Sequence, residues 1–320
     1  MKKNINFIIV DLVGGLGNQL FGLAFGSALS EKLNCNLKLD KSLIHFGSNH
    51  DRKLELQNFD FGLRNFKIKQ SYITKIFALP KIRILEKISG KIIMAKRRSI
   101  KEENLKITKI EINNRFSGYF QDWMFADYLF LKNYNFLPTL RGKDIKKIKL
   151  FQEYNLLNPI LIHIRLGDYL EFSNIYEILP EQYFLSALNK LSENHDSRPV
   201  WLVVENINQV RKFYPNLAKL AAKFIDKDQD LKDHEVFYLM ARSNCLIASN
   251  STFSLWASWF VLNSGGDVIV PSVFKVSGIS SKLIDQRWNS IDISDFTFIP
   301  KKNLVVIREE NLVRFNDLFI

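Results

Sequence analysis

The second half of the chain alternates in a way that leaves few possible folds. Short β-branched runs occur at Ile160 to Ile164, Val200 to Val204, Phe224-Ile225, Asn244 to Ala248 and Val268 to Val270. Between them lie Pro180 to Leu191, Ile207 to Tyr214, Asp233 to Ala241 and Thr252 to Leu262, whose patterning predicts helices. Strands that arrive singly, each followed by a helix, pair in parallel, because the helix supplies the crossover. Helices then cover both faces of the sheet, so its strands read as nearly unbroken apolar runs. The first half opens the same way. Ile5 to Val13 predicts a buried strand and Gly14-Gly15-Leu16-Gly17 a turn. A helix from Asn18 to Leu33 carries Leu20, Leu23, Ala24, Ala28 and Leu29 on one face, and Cys35 to Leu39 predicts a second strand.

The fold class is therefore α/β. At 320 residues the chain is long for one domain, at roughly 100–200 residues each. The lysine-rich stretch 139–150 is the expected linker, giving domains 1–150 and 151–320. Hydrophobic residues at 47% and charged residues at 24% exclude a disordered chain. Two isolated cysteines, Cys35 and Cys245, exclude a disulfide scaffold, and five scattered histidines argue against a structural zinc site. The apolar run after Met1-Lys2-Lys3-Asn4 is too short for a signal peptide, so a cytoplasmic protein is expected. The net charge of +12 suits a phosphorylated ligand, an anionic membrane or nucleic acid. No nucleic-acid-binding module is present, which removes the last as an expected partner.

Three segments could carry chemistry. In the first, a strand feeds Gly14-Gly15-Leu16-Gly17-Asn18-Gln19 at a helix start, where unpaired N–H groups and the helix dipole favour an anion. The dinucleotide fingerprint fails here, since Leu20 occupies the third glycine position. A tight strand–helix turn with no ligand fits the glycines equally well. In the second, His163-Ile164-Arg165-Leu166-Gly167-Asp168-Tyr169, Arg165 falls near the C-terminal end of a strand. Ligands bind there in open α/β sheets, and a guanidinium fork reaches phosphate. The plainer alternative is an Arg165–Asp168 ion pair that only ties the loop. In the third, Ser249-Asn250-Ser251-Thr252-Phe253 runs from a strand into a helix, which fits either simple N-capping or a phosphate cradle. Trp256, Trp259 and Phe260 beyond it read as core.

Taken together, Gly14 to Phe21, His163 to Tyr169 and Ser249 to Trp259 resemble the α-1,2-fucosyltransferase family, which is itself similar to the protein O-fucosyltransferases and core α-1,6-fucosyltransferases. Gly118-Tyr119-Phe120-Gln121 and Glu235 to Met240 resemble two further family segments. The resemblance implies a GT-B-like fold, two Rossmann-type domains facing across a cleft. The N-terminal domain would take the acceptor and the C-terminal domain GDP-β-L-fucose. It implies inverting transfer of L-fucose, with no metal and no cofactor, to a hydroxyl of a galactose-containing glycan, typically O2. It also implies the donor-binding set: Gly15 and Gly17 in the turn, Arg165 on the β-phosphate, Ser251, Thr252 and Phe253 completing the cradle, and His163 and Glu235 at guanine. Arg165, Asn18 and Asp168 form the catalytic set, with Asp168 either ordering its loop or assisting the acceptor. A dissociative reaction with little need of a base is the other route.

The chain departs from the family pattern at three places. Leu166 replaces a second arginine, so a second cation at the diphosphate is missing or comes from elsewhere. Leu255 replaces a tryptophan. Glu205-Asn206 stands where the family often has Ser-Asp-Asp, which weakens an acidic role there. A non-catalytic sugar-nucleotide or glycan-binding relative is the alternative reading. The stretch 75–98, in which basic and apolar residues alternate, suggests peripheral contact with an anionic membrane, where lipid-linked acceptors would be found.

Overall fold

The computed structural model describes residues 7–44, 52–63, 66–69, 99–101, 115–132, 138–142, 149–195, 198–226, 231–274 and 283–319. The basic stretch 75–98 lies outside them. The chain forms two compact units, 1–137 with 308–320, and 138–307.

In the first unit five strands form a parallel sheet: β1 (Phe7–Asp11), β2 (Asn36–Asp40), β3 (Phe66–Lys69), β4 (Ser99–Lys101) and β5 (Arg115–Ser117), in the order β3-β2-β1-β5-β4. Helix α1 (Leu16–Lys32) follows β1, close to the expected span. It is buried nearly all round from Leu16 to Leu29, so its sequence lacks a clean polar face. Gly26 has Leu37 and Val10 so close that a Cβ would lie 2.6 Å from Leu37 Cδ1. Helix α2 (Met124–Leu131) packs Phe125 edge-on against Phe25, ring centres 5.0 Å apart.

The second unit contains a seven-stranded sheet. Its strands are β6 (Ile160–His163), β7 (Val200–Val204), β8 (Ala221–Asp226), β9 (Cys245–Ile247), β10 (Asp267–Pro271), β11 (Asn289–Ile291) and β12 (Phe298–Ile299). The order is β8-β7-β6-β9-β10-β11-β12, parallel except for the last pair. Helices α3 (Lys149–Leu157), α4 (Gly167–Glu171), α5 (Glu181–His195), α6 (Ile207–Phe213), α7 (Pro215–Leu220), α8 (Asp233–Ala241) and α9 (Thr252–Asn263) connect the strands. Ile162, Ile164, Leu202, Val204, Ile247 and Ile269 meet Tyr183, Phe184 and Leu191 in one core. Trp256, Trp259 and Phe260 are buried, as the pattern predicts.

The units divide at 137/138 rather than at 150/151, and the chain's end joins the first unit. The final helix, α10 (Leu304–Asp317), accounts for the second difference. Asn311 and Phe315, four residues apart and so on one face, are both buried. Asn311 donates to Asp127 Oδ2 at 2.7 Å, Phe315 packs on Phe125 and Tyr128, and Arg314 pairs with Asp122. These contacts join positions more than 180 residues apart, which no local composition signal records. Within the expected linker, α3 begins at Lys149 and buries Phe151 and Tyr154.

Candidate functional site

Both sheets reverse strand order beside their first strand, and ligands of open α/β sheets bind at such a point, outside the strands' C-terminal ends. In the second unit the reversal lies between β6 and β9. The segment 163–169 leaves β6 there, and 248–253 leaves β9. His163 is 6% exposed, and its Nδ1 lies 2.9 Å from Ser249 Oγ. Burial pushes its imidazole down to about 3, helped by the neighbouring Arg165 charge, so the ring is neutral at pH 7. Phe253 lies beside it, ring centres 5.6 Å apart. Ser251 caps α9 by accepting from the Ser254 N–H at 3.1 Å, and its hydroxyl lies 3.4 Å from Ser249 Oγ. Thr252 is the half-buried first residue of that helix.

Arg165 comes just beyond the end of β6. Its Nη2 donates to Asp168 Oδ1 at 2.6 Å and its Nη1 pairs with Glu205. Burial disfavours its charge, but the two carboxylates outweigh that and hold its proton more tightly than usual. Tyr169, whose ring centre is 5.6 Å from the guanidinium, donates its hydroxyl to Asn250 O at 2.9 Å. That bond ties the arginine segment to the hydroxyl loop. His163, Arg165, Asp168, Ser251, Thr252 and Phe253 thus lie on two adjoining strand-to-helix segments of one unit. The ion pair named as the plainer alternative is present, and it includes a third member. Glu205, just beyond β7, supplies an acidic partner at the position where the departure from the family pattern weakens that expectation, which the ion pair corrects. Leu166 is 3% exposed and packs in the core, so its side chain turns away from the guanidinium. Glu235 is 2% exposed on α8, where its Oε2 accepts from the Lys232 N–H at 2.8 Å and closes the first turn.

Gly15, Gly17 and Asn18 belong to the first unit, at the reversal between β1 and β5. Gly14 has φ +66°, and a Cβ there would lie 2.6 Å from Asn18 Nδ2. The glycine therefore fixes a left-handed turn and leaves space for the amide. Asn18 Oδ1 accepts from Gln121 Nε2 at 2.9 Å. Gln121 is held by its neighbour Phe120, which has φ +49° and stacks on Phe25 with ring centres 3.9 Å apart. Gln19, although adjacent to Asn18, is wholly buried. It donates to Gly14 O and Lys53 O and accepts from the N–H groups of Glu55 and Leu56, at 2.8–3.4 Å. It thereby holds segment 52–56 against the turn, with Arg52 Nη1 3.4 Å from where a Gly15 Cβ would be. No motif points to Arg52, which is distant in sequence and set by the bonds of Gln19.

Two Rossmann-type units in one chain make a GT-B-like fold. A solved structure is similar in fold: NodZ α-1,6-fucosyltransferase co-crystallised with GDP, at TM-score 0.50 and 13% identity over 93% of this chain and 99% of that one. The particular family follows from the sequence: residues 41–289 match glycosyl transferase family 11, and the chain belongs to it. Curated relatives include an alpha-1,2-colitosyltransferase of Escherichia coli, 25% identical over 84% of this chain and 92% of that protein. Another is the O-antigen biosynthesis glycosyltransferase WbnK of Escherichia coli, 27% identical over 87% of this chain and 98% of that protein. Among the described residues no helix is long and apolar enough to cross a membrane.

Proposed function

We propose that this glycosyltransferase moves L-fucose from GDP-β-L-fucose to O2 of a galactoside, with inversion, giving an α-1,2-linked fucoside. The observation that carries the reading is Arg165 at the strand-order reversal, tied through Tyr169 to the hydroxyl loop that opens α9. In the reaction the acceptor oxygen bonds to C1 of fucose while the C1–O bond to the β-phosphate breaks. The electron pair leaves with GDP, and the acceptor hydroxyl gives up its proton late, to the departing diphosphate or to water. Charge therefore develops on the diphosphate, where a fixed guanidinium lowers the barrier. Arg165 binds that group, and the N-terminal turn of α9 with Ser251 and Thr252 assists. His163 and Phe253 adjoin the guanine end, with the neutral imidazole acting as a hydrogen-bonding group. The tie from Asp168 to Arg165 supports a role in ordering the loop over one as a base.

In the first unit, Asn18 and its partner Gln121 suit hydroxyls of a sugar, and Gly15 and Gly17 open the turn beside them. The O-antigen biosynthesis relative supports a surface-glycan acceptor, and the colitosyl relative makes a deoxy analogue of fucose the main competing donor. Protein cations and helix ends stand in for a metal in this scheme, and the enzyme works in the cytoplasm beside the membrane.

The test is transfer from GDP-fucose and GDP-colitose across a panel of galactosides, with and without EDTA. Fucosyl transfer that persists in EDTA is expected. Transfer that needs manganese, or that occurs only from GDP-colitose, would overturn the reading. GDP binding without transfer to any acceptor would favour a non-catalytic relative. Cosedimentation with anionic but not neutral vesicles is expected, and indifference to lipid charge would remove the membrane contact.

A further inference from the structure

Arg165 has more acidic company than an anion site needs. Its guanidinium pairs with both Asp168 and Glu205, so the trio carries one net negative charge when both carboxylates are ionised. The adjacent His163 is neutral and adds nothing. A diphosphate arriving at Arg165 meets two like charges beside one opposite charge, so binding requires a change of partner.

Of the two, Glu205 is the less firmly held. Asp168 lies three residues from Arg165 in short helix α4, so local backbone fixes the pair. Glu205 comes from the end of β7, and its Oε2 is buried with no hydrogen-bond partner among the described residues. A buried acceptor left without a donor is costly, so this pairing is incomplete. Room for it exists only because residue 167 is glycine: a Cβ there would lie 1.9 Å from Glu205 Oε2. The first unit shows the complete version. There Arg115 pairs with Asp11 and Asp40, and all four carboxylate oxygens take donors, the remaining two from Ser117 and from the Ser42 N–H.

We propose that Glu205 is a displaceable counter-ion of Arg165, a positioning residue that holds the guanidinium in the empty site, yields it to the donor diphosphate, and reclaims it as GDP departs. The proposal rests on the GDP-sugar reading above. Released GDP carries one more ionisable phosphate oxygen than the bound donor, so Arg165 holds it more strongly. A competing carboxylate then speeds release of the product.

The test is calorimetric titration of GDP into the wild-type enzyme, Glu205→Gln and Gly167→Ala, alongside steady-state kinetics. Glu205→Gln removes the competing charge and should tighten GDP roughly 3- to 10-fold. The KM for donor should fall by a similar factor, the KM for acceptor should not move, and product inhibition by GDP should strengthen. Gly167→Ala reaches the same carboxylate without altering it. The added methyl pushes the flexible end of Glu205 off its pairing, so GDP should again tighten, and this variant serves if Glu205→Gln fails to fold. Weaker or unchanged GDP binding in a folded variant would overturn the proposal and leave the GDP-sugar reading standing. Failure of the wild-type enzyme to bind GDP would overturn both.

Discussion

The two units contain the same trio, an arginine between two carboxylates beside parallel strands, and finish it differently. In the first unit Asp11 and Asp40 close β1 and β2, Arg115 opens β5, and every carboxylate oxygen has a donor. The Asp11 side chain is fully buried. In the second unit Arg165, Asp168 and Glu205 all lie beyond their strands, with side chains 12–24% exposed and one oxygen without a donor. In the first trio the arginine is about as exposed as its counterpart, 18% against 20%, but both carboxylates are buried with every oxygen bonded, so the trio joins three strands. An open trio at a strand-order reversal can exchange a partner. What separates the two trios is whether the hydrogen bonds are complete, not which residue types are present.

The most direct way to break this comparison is to remove each arginine. Arg165→Ala should leave a folded protein and lower kcat/KM for transfer by about 10²- to 10³-fold, the scale of a lost transition-state anchor. Arg115→Ala should do the reverse. It takes the cation from two buried carboxylates, which costs about 3–5 kcal/mol. Urea unfolding and turnover, measured on both variants, check the pair. A stable Arg115→Ala or an active Arg165→Ala would show that the trios had been assigned the wrong way round.

A second contrast is in pH. His163 beside the open trio has its pKa pushed below 6.5, to about 3. The unfolded chain therefore binds a proton in that window and the folded one does not. Stability from this residue is full above pH 6.5 and declines as pH falls toward 3, by about 1.4 kcal/mol per unit at most. Asp40 in the closed trio is held below the usual carboxylate range. Burial acts against that, but Ser42 and Arg115 outweigh it. Its contribution is present above the unfolded carboxylate value and is lost only at lower pH. Between pH 6.5 and 5 the decline should thus come from the second unit. His163→Asn should flatten it by roughly 2 kcal/mol, read from urea midpoints at the two pH values. An equal decline in the variant would assign it to another group.

The sequence makes parts of this architecture legible, and the reasons are local. β7 and α8 coincide with the runs Val200 to Val204 and Asp233 to Ala241, because buried strands and short amphipathic helices leave their period in the chain. The family resemblance groups loops 163–169 and 248–253, but their adjacency follows from a strand order that the local pattern does not record. Glu205 and Arg52 were not readable. Each reaches its place through contacts formed in three dimensions, Glu205 across the empty position of Gly167 and Arg52 through the four bonds of Gln19. Gln19 and Asn18 are adjacent amides of similar type, yet one is consumed by the backbone and the other meets a side chain. Leu166 reads as a lost cation in sequence and as a core residue in the fold.

The mildest test concerns the first unit's own reversal point. Gly14 adopts φ +66°, a region that costs an L-residue roughly 1–2 kcal/mol. Gly14→Ala adds that strain and places a methyl against the Asn18 amide, which must swing away from Gln121 or be displaced along with it. The expected result is a loss of about that size in urea unfolding, together with a fall in transfer larger than the stability change explains. Gln121→Ala should reproduce the fall in transfer without the strain, because it frees the same amide and leaves the glycine turn intact. If Gly14→Ala loses stability but keeps full transfer, the amide pair is scaffolding. The first unit would then resemble its own closed trio, complete and inert, rather than the open one in the second.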